Sequence, residues 1–131
     1  KRFHDIDRLI FLKNNKIEIH ARSVFLQGLF FLNHNIILRY FPKLNKLINE
    51  INQNLLFQKF KLYELSLIWV LSNKFIDKAV IGFENHNQFT DIINFVNNIT
   101  YDQELVKQLE DIRVDDLNIL LPYNWDLNNL N

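Results

Sequence analysis

The chain has 131 residues, 48% of them hydrophobic, which is enough to bury one core and fits about one domain. Its 15 Lys and Arg are balanced by 15 Asp and Glu, so no net field gathers phosphates, which argues against non-specific nucleic-acid binding. Cysteine is absent, which removes disulfide and thiolate chemistry, and no apolar run approaches the ~20 residues that span a bilayer.

Lys1-Arg2-Phe3-His4 is not followed by the apolar stretch of a signal peptide. Methionine is absent throughout, which points to a chain that begins inside a longer protein. Asp5 can cap a first helix whose Ile6, Leu9, Ile10 and Lys13 share a face, closed by Asn14-Asn15. The period changes to two over residues 17–24, a predicted strand. Residues 29–41 are aromatic-rich without a clean period and read as a loop with at most a helical turn. Pro42 suits the first turn of a helix carrying Leu44, Leu47, Ile48 and Ile51. Residues 61–72 are apolar nearly all round, the pattern of a helix packed on several sides. A short apolar run, Lys78 to Ile81, ends on Gly82, and Asn85 stands three residues before Gln88 in a capping-box arrangement ahead of Phe89, Ile92, Ile93 and Val96. Another helix is predicted from Asp102 to Arg113, and the tail from Leu120 to Trp125 reads as extended.

Strands separated by helices imply parallel strands with helical crossovers, hence an α/β fold. Two parallel strands alone leave two open edges and cannot cover both faces. Neighbouring strands must therefore come from outside this stretch of sequence.

The alternation of Ile17, Ile19 and Ala21 with Glu18, His20 and Arg22 has two readings. In a (β/α)₈ barrel the apolar set faces outer helices and the polar set faces the interior, where it meets a ligand near the carboxyl ends of the strands. In a half-exposed antiparallel strand the polar set simply faces water. The only two glycines, Gly28 and Gly82, both follow strand-like runs. There a positive φ, or a close approach of backbone to ligand, favours Gly, and a following helix N-terminus can hold an anion. An ordinary tight turn is the plainer account of either one.

The run from Glu18 to Leu29 resembles the seventh-strand segment of the aldo-keto reductase family, in the bacterial branch that carries "RSVFLQGLL". Other members have "YSPLGxG" there, so Ser23 matches the family Ser, Phe25 the Leu and Arg22 the Tyr. Leu65 to Leu71 is similar to the family helix "ALAWVL", and Lys78 to Phe89 to the eighth-strand signature "IPGxxxxxQL" with Gly82, Gln88 and Phe89 in register. Leu121 to Trp125 looks like the "DPxxW" close of the same branch. The resemblance covers nearly the whole chain in order. It implies the C-terminal portion of a (β/α)₈ TIM barrel, strands seven and eight with their flanking helices.

That resemblance implies a cytoplasmic NAD- or NADP-dependent oxidoreductase acting on a small carbonyl substrate without a metal. The family's catalytic Tyr, Lys, Asp and His belong to the N-terminal half of the barrel, the expected partner, so this chain alone is expected to be inactive. Arg22 would replace the Tyr whose ring stacks on nicotinamide, or bind the pyrophosphate, or pair with Glu18 instead. Ser23, Phe25, Gln27 and Gly28 would line the pyrophosphate passage, and Gly82, Phe83, Asn85 and Gln88 would surround the adenosine end. Gln88 stands where many NADP-dependent members have Arg, Ile92 where many have Asn, and Glu84 adds a negative charge. The choice between the two cofactors is therefore open. Tyr40, Tyr63, Tyr101 and Tyr123 match no motif and read as packing residues. The four histidines (4, 20, 34 and 86) show no metal-ligand spacing. His4-Asp5-Ile6-Asp7 reads as a solvated helix start, and His86 as exposed in a helix first turn. A different class of function is also open: a non-catalytic relative whose exposed strands a partner completes.

Overall fold

A computed structural model describes residues 6–125. The expected cap at Asp5 and the cluster around His4 lie outside the described residues. The architecture is α/β and mostly helical, built around a two-stranded parallel sheet. In chain order it comprises α1 (Ile6–Asn14), β1 (His20–Arg22), α2 (His34–Tyr40), α3 (Asn45–Gln53), α4 (Leu62–Ser72), β2 (Lys78–Val80), α5 (His86–Asn98), α6 (Gln103–Asp111) and α7 (Leu117–Leu120). Single 3₁₀ turns at Leu29–Phe31, Pro42–Leu44, Phe57–Lys59 and Pro122–Asn124 join them.

The strands pair in register His20 to Lys78, Ala21 to Ala79 and Arg22 to Val80. Paired residues share a face, so Ala21 and Ala79 look toward the helices while the other four lie on the opposite face. Ala21 is 1% exposed and packs with Val24, Phe25, Tyr63, Leu67, Val70 and Ile92. No helix among the described residues covers the other face, where Val80 stays 52% exposed. The sheet is therefore helix-backed on one side and open on the other.

α4 is the central pillar. Its Tyr63, Leu67 and Val70 join the sheet cluster, while Leu65 and Ile68 join a second cluster with Ile51, Phe57, Leu105 and Leu109. This double engagement explains why its sequence is apolar nearly all round. A third cluster gathers Leu29, Ile37, Leu44, Ile48 and Ile119.

Several expectations are corrected. The strand read over residues 17–24 pairs only at His20–Arg22, because Ile17 is 46% exposed ahead of the sheet and Ser23 turns left-handed at φ 62°. The stretch read as a loop contains α2, capped by Asn33, whose side chain accepts from Ile36 N–H at 2.9 Å. The tail is helical rather than extended: Asp116 caps α7, and a 3₁₀ turn follows at Pro122. On α1 only Leu9 is buried, leaving Ile6 and Ile10 on the surface. No described helix is long and apolar enough to cross a membrane.

Candidate functional site

Because β1 and β2 run parallel, their carboxyl ends lie side by side and deliver two loops to one place. The first, residues 23–28, begins at Arg22. The second, residues 81–85, leads into α5. Between them lies a cleft of about 490 Å³. Its lining brings together Arg22, Ser23, Phe25, Gln27 and Gly28 from the first loop with Gly82 and Phe83 from the second and Gln88 from the first turn of α5. Val24, Phe31, Val80, Ile81 and Glu84 complete it. Asn85 lies outside the lining: its side chain accepts from Gln88 N–H at 2.9 Å and caps α5. Gln88 in turn accepts from Glu84 N–H at 2.9 Å, which commits its carbonyl oxygen and leaves its NH₂ for any ligand.

The first loop is strained. Ser23 (φ 62°), Leu26 (46°), Gln27 (54°) and Gly28 (81°) all take left-handed backbone. Each non-glycine residue held there costs about 1–2 kcal/mol. Packing imposes the turn. Phe25 is buried with its ring edge-on to Phe31 at 4.9 Å and Tyr63 at 6.2 Å, and Leu29 is buried on the exit. Leu26 N–H donates to Ser23 carbonyl and Leu29 N–H to Leu26 carbonyl, at 3.0 and 3.1 Å. The N–H groups of Gln27 and Gly28 donate to no main-chain carbonyl among the described residues. Strain of this kind, concentrated at one loop on the carboxyl side of a parallel sheet, is typical of ligand-binding segments.

The two glycines part company here. Gly28 needs its left-handed φ, and a methyl group added to it would stand 3.5 Å from Glu84 Oε1. Gly82 is outside the left-handed region and a methyl there would touch nothing within 4 Å. Of the two glycines, only Gly28 takes the positive φ that favours glycine.

Charge in the cleft is divided. Arg22 is exposed, with no hydrogen-bond or ion-pair partner among the described residues. The alternative partner read from sequence, Glu18, is already taken: its Oε1 meets Lys78 Nζ at 2.5 Å and His20 Nε2 at 3.2 Å. Those contacts, Lys78 first, hold the Glu18 carboxyl below its ordinary value and raise Lys78. Glu84 places a carboxylate against Gly28 on the opposite rim.

The amino end of the sheet is built differently. Asp77 Oδ2 accepts from Ile19 N–H at 2.8 Å, and its other oxygen binds Lys13 Nζ at the end of α1. The Ile19 carbonyl accepts from Asp77 and Lys78 N–H at 2.9 and 3.4 Å. The backbone bond from Ile19, then Lys13, lowers the Asp77 carboxyl. Sequence reading missed Asp77, which has no motif; its position directly before a strand was the only signal.

No tyrosine borders the cleft. Tyr63 is buried, and its hydroxyl donates to Glu64 at 3.2 Å; burial and that carboxylate push its phenol well above the ordinary 10.0. Tyr123 is 80% exposed, so reading it as a packing residue is corrected. His86 is exposed in the first turn of α5, with Nε2 3.4 Å from Thr90 Oγ1. No three His, Asp or Glu among the described residues come together as a metal site. No family model, curated protein or solved structure matches the chain.

Proposed function

We propose that the chain is the C-terminal, dinucleotide-contacting part of an aldo-keto reductase-like (β/α)₈ barrel oxidoreductase, with β1 and β2 as its seventh and eighth strands. The observation that carries this reading is the cleft. Residues far apart in sequence, chosen by resemblance alone, line one cavity at the carboxyl ends of parallel strands, all but Asn85. The groups present fit a dinucleotide. Arg22 offers an unpaired guanidinium and Gln27 and Gly28 offer free N–H donors to a diphosphate, while Phe83 and Val80 offer apolar surface to a ring. Glu84 suits ribose hydroxyls and opposes a 2′-phosphate, which favours NAD over NADP. When bound, the nicotinamide supplies the hydride chemistry; these residues bind and orient it. No tyrosine lines the cleft among the described residues, so in this reading the group that protonates a substrate oxygen belongs to the remaining strands, and residues 1–131 alone are expected to reduce no carbonyl.

Titrating NAD into the ¹⁵N-labelled chain tests this. Amide shifts concentrated in residues 22–28 and 82–88, lost in Arg22→Ala, are expected. Shifts elsewhere, or none at high millimolar NAD, would remove the reading.

The open edges of β1 and β2 favour a second reading, a non-catalytic module whose sheet a partner completes. Surfaces for such completion exist on α5, where Phe89, Ile93 and Val96 are exposed beside the ring pair Phe83–Phe89 (4.9 Å), and on α1, where Ile6, Ile10 and Phe11 are exposed. Coding DNA upstream of Lys1 separates the two. An open frame for further β/α units with a Tyr, Lys, Asp and His set favours the enzyme, and a stop followed by a start favours the module.

A further inference from the structure

A second cavity, of about 400 Å³, shares Arg22, Ser23 and Val24 with the cleft and runs from there between α3, α4 and the segment around α7. Its walls draw on all three core clusters: Ala21 and Val70 from the sheet cluster, Ile51, Leu65 and Leu109 from the second, Ile48 and Ile119 from the third. It opens to solvent beside the exposed residues Arg22, Ser23, Arg113 and Asp115, with apolar walls behind them. The volume falls in the range of small-molecule sites.

Its polar side chains are few. Ser66 hydroxyl donates to the Tyr63 carbonyl at 2.7 Å and is satisfied within α4. Asp115, the one carboxylate, is itself partnered. Arg22 has no partner among the described residues, and Arg113 Nη1 donates only to the carbonyls of Glu110 and Ile112 in its own turn. Apolar walls therefore meet a rim where cationic donors exceed committed acceptors.

We propose that this cavity binds an amphipathic monoanion, a straight-chain carboxylate with its chain among Ile48, Leu65 and Ile119 and its head group at Arg113. Charge complementarity selects the anion, and a volume within the small-molecule range selects a small molecule over a protein surface. This assignment does not depend on dinucleotide binding.

The test uses the 131-residue chain with dodecanoate, dodecanol and dodecylammonium as probes. It reads tryptophan emission, since Trp69 lines the cavity, together with the thermal midpoint. Dodecanoate is expected to shift both, and to bind about tenfold more tightly than dodecanol through its charge-assisted contacts. Arg113→Gln, a change at an exposed side chain, is expected to bring dodecanoate down to the affinity of dodecanol. Ser66→Phe is expected to fill the cavity and exclude both probes; should that variant unfold, the Arg113→Gln comparison still decides. Dodecylammonium binding as well as dodecanoate, no binding by either, dodecanoate unaffected by Arg113→Gln, or self-association that blocks every probe would overturn the assignment.

Discussion

The two ends of the small sheet contrast. At the amino end every strong group is matched: Asp77 bonds Ile19 N–H and Lys13, and Glu18 bonds Lys78 and His20. At the carboxyl end the backbone is left-handed at four positions and Arg22 stands unpaired over an open cleft. Satisfied hydrogen bonds hold the strands in register, while strain and unpaired donors concentrate at the end proposed to meet a ligand. The contrast gives the functional assignment physical content, because it predicts opposite responses to mutation at the two ends.

The helix-backed face should dominate stability. Leu67 is 1% exposed and belongs to the same buried cluster as Ala21 and Phe25. Leu67→Ala should cost about 2–5 kcal/mol, a large share of the 5–15 available to an ordinary domain. Urea unfolding measures it. A loss under about 1 kcal/mol would mean that this face is loosely packed and that the sheet is not anchored by α4.

Arg22→Ala sharpens the comparison from the other end. It should leave stability within about 0.5 kcal/mol, since an exposed, unpaired side chain supports nothing. Binding of NAD should nevertheless weaken by about 1–3 kcal/mol through loss of a charge-assisted contact. A stability loss with unchanged binding would make Arg22 a structural residue and reverse the contrast.

Gln27→Gly tests the strain itself. Glycine accepts φ 54° at no steric cost, so the variant should gain up to about 1 kcal/mol, offset in part by unfolded-state entropy. If the turn positions the free N–H groups, the same variant should bind ligand less well despite being more stable. Destabilisation would show that the Gln27 side chain matters more than its backbone.

Much of the helical frame was legible because its signals are local. Asn85 and Asp102 each bond an N–H three residues on, at 2.9 and 2.7 Å, and the all-round apolar α4 announced its own burial. Asn33 carries the same signal and Asp116 a shorter one, to an N–H two residues on, but both stand where an aromatic run and a sticky tail obscure it. The strand length was not legible, since alternation over residues 17–24 says nothing of where the partner strand stops. Most hidden was the left-handed turn. Leu26 and Gln27 have no preference for that conformation; the buried Phe25 and Leu29 on either side impose it. The cleft followed from parallel pairing, which sequence order did imply, yet its division of charge between Arg22 and Glu84 appears only when both loops are in place.

The smallest expected effect concerns acid, and it belongs to the amino end. The backbone bond from Ile19, then Lys13, lowers the folded-state Asp77 carboxyl from its ordinary 3.8. A lowered carboxylate contributes stability that is fully present above the unfolded value and is lost as pH falls through the folded one. Stability should therefore be flat near neutrality and decline below pH 3.8, with Glu18, lowered from 4.5 by Lys78 and His20, adding to the decline in the adjoining window. Asp77→Asn keeps an acceptor for Ile19 N–H but no charge for Lys13. The difference between wild type and variant should be present at neutral pH and shrink on acidification below 3.8. Both groups are exposed and screened, so the thermal-midpoint difference should be only a few degrees and should narrow further in salt. A difference that stayed constant from neutral pH down through the carboxylate range would mean that Asp77 acts through geometry alone, and the amino end would then owe its register to hydrogen bonding rather than to charge.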